Sequence, residues 1–258
     1  MSFAEFLTRE QVERVHEASL EILEDVGLLV RYAPARELFR THGANVDSEN
    51  NRVKFPRAVV EKYIKVLPPK FTFRGRDPKY DKTIPDDSPV IVTGSSAPDI
   101  LDPVTGVERR SVSADIVMIA HLIQELPAYD MFSVSVLADD APDNQFSLAR
   151  LYPAMKYCSK PIRMTSKDLA DAKDILQMVY LVAGSEEAYR EHPFITHHYC
   201  PVVSPLTMDH LSTEAVMFFA EQGLPVYPTI VPNAGLTSPM SLAGGPAQGR
   251  AGILAGGC

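Results

Sequence analysis

The chain has 258 residues, 45% of them hydrophobic and 22% charged, a balance that supports a substantial buried core and excludes general disorder. A formal net charge of -8 argues against a nucleic-acid partner, because no basic surplus exists to displace counterions from a phosphate backbone. No run of about 18 apolar residues is present, and MSFAEFLTRE lacks the basic start and apolar stretch of a secretion signal, so a cytoplasmic location without a membrane partner is expected.

Thr8 and Gln11 form a capping-box pattern ahead of Val12, Val15, Ser19, Ile22, Leu23 and Val26, which recur at helical spacing until Gly27 supplies a stop. Pro34 opens a shorter helix through Leu38 and Phe39 that ends at Gly43, and NVD and RVKF flank SENN as a small hairpin. Pro56 begins a helix carrying Val59, Val60, Tyr63, Ile64 and Leu67, which Pro68 and Pro69 terminate before the strand-like FTFRG. Residues 1–88 thus read as a helical N-terminal region with a small hairpin, bounded by a polar, proline-containing stretch from Asp77 to Ser88.

From residue 89 the pattern changes. Short apolar runs, PVIVTGS, MFSVSVLA, PIRMTS, FITHHYC and PVYPTIV, begin near Val90, Met131, Pro161, Phe194 and Val226, and each precedes a helical segment. Between the first two runs the hairpin-like ILDPVTGVER leads into a helix capped by Ser113 and carrying Val117, Ala120 and Ile123. Later helices are expected over 144–157, 168–183 and 209–222, with Gly184 and Gly223 as stops.

Strand starts some 30 to 40 residues apart are the signature of βαβ units. The expected class is α/β, with residues 89–258 forming a partial (β/α)8 TIM-type barrel of about five βα units behind the helical N-terminal region. A full barrel needs eight strands and roughly 250 residues, so three units are wanting, and LAGGPAQGRAGILAGGC is too glycine-rich to make a good helix. A complete open, doubly wound sheet of five strands is the alternative, although no G-x-G-x-x-G follows its first strand.

Barrel chemistry sits at the C-terminal ends of strands, which singles out Gly94, Ser95 and Ser96, Asp139 and Asp140, Thr165 and Ser166, His197 to Cys200, and Thr229 and Asn233. From these the substrate-binding candidates are Ser95, Ser96, Asp139, Thr165, His198, Thr229 and Asn233; no catalytic residue is assigned. Each has an ordinary reading beside it: Ser95 and Ser96 as loop and cap chemistry, Asp139 and Asp140 as a solvated turn before Pro142, Asn233 as a turn asparagine. On a strand His197 and Tyr199 share one face, His198 and Cys200 the other. A zinc enzyme built on His198 and Cys200 would need a further ligand that no C-x-x-C or H-E-x-x-H supplies, so no metal is expected. The three cysteines, Cys158, Cys200 and Cys258, are widely spaced and odd in number, which suits reduced thiols.

Specific residues carry more. LTREQVERVHEASLEILEDVGLLV, HGANVD with RVKFPRAVVEKYI, LPPKFTFRGRDP, CPVVSPLTMD and AGLTSPMSLAG follow one another in an order and spacing that resemble the trimethylamine methyltransferase family, glycine-betaine-demethylating relatives included. The resemblance implies a (β/α)8 barrel that takes a methyl group from a methylated amine and passes it to the cobalt of a partner corrinoid protein, so corrinoid is supplied by the partner and no cofactor is bound permanently. It also implies a chain of nearly twice this length, with the pyrrolysine of the trimethylamine enzymes beyond Cys258, and hence a C-terminally truncated form inactive by itself. A methylated nitrogen needs aromatic faces and carboxylates around it; without tryptophan, tyrosine and phenylalanine would have to serve. A non-catalytic binding protein for betaine-like cations is the rival expectation, and a homo-oligomer is left open.

Overall fold

The computed structural model describes residues 6–86, 88–200 and 202–257. Asp87, Pro201 and Cys258 lie outside the described residues. In chain order the elements are α1 (Arg9–Glu21), a π-helical turn (Ile22–Val26), β1 (Leu28–Val30), α2 (Ala33–Thr41), β2 (Asn45–Asp47), β3 (Arg52–Lys54) and α3 (Arg57–Ile64). Then come β4 (Phe71–Phe73), β5 (Lys82–Ile84), β6 (Asp99–Leu101), β7 (Glu108–Arg110), α4 (Ser113–Glu125), β8 (Phe132–Ser133), α5 (Phe146–Tyr157), β9 (Ile162–Met164) and α6 (Leu169–Ala183). The remainder is α7 (Glu186–Glu191), β10 (Ile195–Tyr199), β11 (Thr207–Met208), α8 (His210–Glu221), β12 (Val226–Pro228) and α9 (Gly244–Gly256). They form two compact units, one of Met1–Pro68, Tyr199–Met217 and Pro228–Cys258, the other of Pro69–His198 and Phe218–Tyr227.

In the first unit α1 starts as its sequence dictates: Thr8 Oγ1 accepts from Gln11 N at 3.2 Å while Thr8 N donates to Gln11 Oε1 at 2.8 Å, which satisfies two donors that a helix start leaves orphaned. Gly27, at φ 66°, ends the π-helical turn. The expected hairpin is present as β2 and β3, paired antiparallel, but it is half of a four-stranded sheet of order β11-β1-β3-β2. β1 and β11 contribute only three and two residues, too few for a period-2 pattern to register. Leu23, Leu28, Val30, Val53, Phe55 and Val60 are fully buried beneath this sheet, and Phe39 meets Phe55 edge-on at 4.9 Å.

The glycine-rich terminus, expected to make a poor helix, is α9. Intrinsic propensity is overridden by packing: Ala247, Ala251 and Ala255 recur every fourth residue on a buried face, and α9 lies against α1. Gly252 permits the close approach, since a Cβ there would stand 2.5 Å from Ile230 Cδ1 and 3.3 Å from Val202 Cβ.

The second unit holds a four-stranded sheet of order β12-β10-β9-β8. β8 pairs parallel with β9, and β9 with β10, in the registers Phe132↔Ile162 and Ile162↔Ile195. The first expected run, near Val90, joins only through parallel bridges, Val92↔Met131 and Ala97↔Val136. There Thr93 takes over part of the ladder with its side chain, Oγ1 donating to Ser133 O at 2.7 Å and accepting from Ser133 N at 2.9 Å. Spatial order therefore follows chain order, which is the arrangement successive βα units produce. Phe132, Ile162, Leu151, Ile175 and Val179 form buried packing surfaces, and Asp168 caps α6 as a βα loop should end.

Three details differ from expectation. Ser113 is the first residue of α4 rather than its cap; its N–H and hydroxyl both donate to Asp140 Oδ1, while Asp115 Oδ2 accepts from Val112 N and binds Arg109. The polar stretch after FTFRG contains β5, paired antiparallel with β4. α7 follows α6 directly and packs Tyr189, 2% exposed, against Tyr180 and Phe194. The ILDPVTGVER hairpin is present as β6 and β7.

Candidate functional site

Four of the seven expected substrate contacts converge in the second unit. Ser95 and Ser96, from the segment after Val92, meet Thr165 beyond β9 and His198 on β10 around a small cleft of about 10 Å³, room for about one water. Ser96 sits at φ 62°, a left-handed conformation that a non-glycine residue rarely adopts and that recurs at ligand-binding positions. Two arginines complete the cleft, Arg163 on β9 and Arg150 on α5, together with Ser133, Val134 and Met164.

Arg150 is 3% exposed. Its Nε donates to Val136 O at 2.9 Å and Nη2 to Val134 O at 3.2 Å, and its guanidinium lies 4.9 Å from the Phe146 ring centre. Burial pulls its pKa down to about 10, with the charge of Asp171 opposing, so it stays protonated at neutral pH. Arg163 is half-buried, donates through Nε to Ser133 Oγ at 3.2 Å and covers the ring of Tyr227 at 5.5 Å.

The two histidines of β10 take opposite faces, as period two requires. His197 is buried and stacks on Phe219 with ring centres 4.1 Å apart; His198 faces the cleft. Burial, aided by the neighbouring Arg163, lowers His198 to about 4, and burial, aided by His198, lowers His197 to about 3. Both rings are therefore neutral at pH 7. In the unfolded chain they titrate near 6.5, so the stability due to their neutrality is complete above pH 6.5 and is lost as pH falls toward 4 and 3. Urea unfolding at pH 6 and pH 5 should differ by about 2 kcal/mol. His197 supplies the larger share, since solvent screens the half-buried His198. A difference below about 0.5 kcal/mol would mean that these rings are solvated in the folded protein.

The other three expected contacts lie elsewhere. Asp139 is exposed and accepts from Arg110 Nη2 at 2.9 Å. Thr229 belongs to the first unit, where its N–H donates to Tyr199 O at 2.9 Å and its hydroxyl meets Cys200 Sγ at 3.5 Å. Asn233, also there, closes an exposed turn: its carbonyl accepts from the N–H groups of Leu236, Thr237 and Ser238. Among the described residues no group of three or more His, Cys, Asp or Glu could hold a metal, and no helix is long and apolar enough to cross a membrane.

Arg150, Arg163 and Ser133 were missed from sequence. A signal existed for Arg163, the one charged residue inside the buried run PIRMTS; on a parallel strand covered on both faces such a charge needs a reason. Arg150 had none, because a lone arginine in a helix reads as solvated.

A parallel sheet with covering helices, and a small polar cleft lined by residues from four neighbouring strand segments and α5, make the second unit α/β. Comparison narrows the class: the family model described as trimethylamine methyltransferase (MTTB) matches residues 1–258. The glycine betaine methyltransferase of Desulfitobacterium hafniense (strain Y51) is 31% identical over 252 residues, covering 97% of this chain and 52% of that protein. Trimethylamine methyltransferase MttB of Desulfitobacterium hafniense (strain DSM 10664 / DCB-2) is 30% identical over 239 residues, 91% of this chain and 47% of that protein. Its namesake from Methanosarcina barkeri (strain Fusaro / DSM 804) is 29% identical over 265 residues, with 96% and 51% covered. The chain belongs to the trimethylamine methyltransferase family. It spans about half the length of the curated relatives it matches.

Proposed function

We propose that the protein takes part in moving a methyl group from a methylated tertiary or quaternary amine, of the trimethylamine or glycine betaine kind, to the cobalt of a corrinoid protein. The whole-length family match carries this reading. In the reaction the C–N bond breaks with its electron pair remaining on nitrogen, and Co(I), as acceptor substrate, supplies both electrons of the new bond to carbon. The corrinoid belongs to the partner protein, and this chain holds no cofactor permanently. Segment 89–258, behind a helical region of residues 1–88, is read as about five βα units of a (β/α)8 barrel, a reading supported by parallel strands in chain order.

The work of this chain in that scheme is to bind and orient. Substrate would contact Ser95, Ser96, Thr165 and His198 at the strand ends, where the chemistry of barrels is placed. Asp139, Thr229 and Asn233 remain proposed contacts of the same substrate. The assay is methyl-cobalt formation, followed by its visible spectrum, with the protein as encoded, a corrinoid acceptor and a panel of methylated amines. Turnover of at least one amine is expected; binding of amines in calorimetry without methyl-cobalt from any of them would make the protein a binding protein instead.

A further inference from the structure

We infer that the first compact unit carries a self-association surface, on which Leu242 of one copy seats in the apolar groove between α1 and α9 of a second copy, and the reverse, about a two-fold axis. The groove encloses about 440 Å³ and is lined by Leu7, Val15 and Ala18 on the α1 side and by Leu242, Pro246 and Ala247 on the α9 side. Only Gln11 and Arg14 add polar groups to it, and the Gln11 carbonyl already closes the cap of α1 by accepting from Thr8 N. Such a lining suits apolar side chains better than a small polar ligand, which needs several placed donors and acceptors.

The groove has its counterpart beside it. Leu236, Met240 and Leu242 are 80%, 77% and 97% exposed, although the loop that bears them is tied down. Asn233 O accepts from the N–H groups of Leu236, Thr237 and Ser238, Gln248 of α9 donates through Nε2 to Thr237 O at 2.7 Å, and Ser241 Oγ accepts from Gly244 N at 3.1 Å. The apolar side chains are thus held out on a fixed backbone, which leaves little ordering cost for association. Leu242 is at once a wall of the groove and almost free of its own chain, so knob and hole share one face, as an isologous two-fold contact requires.

The area fits a second copy. With Phe6 and Leu7, these residues leave on the order of 700 Å² of side chain uncovered, at roughly 150–200 Å² for a fully exposed large side chain. The largest apolar patch of a typical monomer is about 300–600 Å², and a standard interface takes about 800 Å² from each partner. Charge agrees. Arg9 pairs with Glu13 and Arg57 with Glu17, whereas among the described residues Glu10 and Arg14, one turn apart on α1, have no ion-pair partner. Two copies of α1 crossing antiparallel beside the grooves place each Arg14 opposite the other copy's Glu10.

Sedimentation velocity on the protein as encoded, under reducing conditions that prevent cross-linking by cysteine, tests this over about 1–100 µM. Wild type should pass from monomer to dimer across that range. Leu242→Asp should keep its circular dichroism spectrum, since the residue is 97% exposed, and raise the dimer dissociation constant roughly 30-fold or more. Arg14→Glu and Glu10→Arg should each weaken association, and the double variant should recover most of the loss. A wild type still monomeric at about 100 µM, a dimer indifferent to Leu242→Asp, or a double variant that recovers nothing would overturn the inference. A monomeric wild type that binds a long-chain fatty acid in calorimetry would make the groove a ligand site and overturn it equally. None of these readouts depends on methyl transfer.

Discussion

Gly27→Ala is expected to destabilise the first compact unit by about 4 kcal/mol. At φ 66° and ψ -166° Gly27 occupies a region that is essentially glycine-only, worth about 1–3 kcal/mol of strain for any other residue. A Cβ there would also stand 2.2 Å from Val53 O and 2.8 Å from Val53 C, against backbone that has no rotamer to adopt. Val53 is the central residue of β3, paired with Leu28 on β1 and Val46 on β2, so relief of the clash would pull apart the sheet that covers the core. Urea denaturation followed by circular dichroism measures the effect. A loss below about 1 kcal/mol would mean that the turn from the π-helical segment into β1 is softer than its geometry indicates.

Arg150→Met should cost about 3 kcal/mol and loosen the cleft as well. The side chain lies at the end of the second parallel run, where it satisfies the carbonyls of Val134 and Val136, residues 2% and 3% exposed. Methionine fills much of the same space but donates nothing, and each buried acceptor left without a partner costs about 1–3 kcal/mol. Loss of the contact with Phe146 adds to this, while release from burying a charge offsets part of it. Because Val134 itself lines the cleft, ligand affinity should fall together with stability. A variant as stable as wild type would show that water reaches those carbonyls.

Much of this fold is legible in the residues because short-range chemistry specifies it. Thr8 with Gln11, Asp168 ahead of α6, and the turns between β2 and β3 and between β6 and β7 each satisfy backbone groups within a few residues. The parallel runs are legible for a related reason: strands buried on both faces must be apolar throughout. What escapes is decided at long range. α9 is helical through the fit of Gly252 and three alanines against partners far along the chain, and β1 and β11 are too short to show any period. The site divides in the same way. A rule of position at strand ends reaches Ser95, Ser96, Thr165 and His198, but the charges that give the cleft its character come from the middle of β9 and from a helix.

A crystal structure of the protein with a methylated amine bound would test the account most directly. The amine is expected at the strand ends, beside Ser95, Ser96, Thr165 or His198. An amine held away from all four residues would contradict the placement of the site.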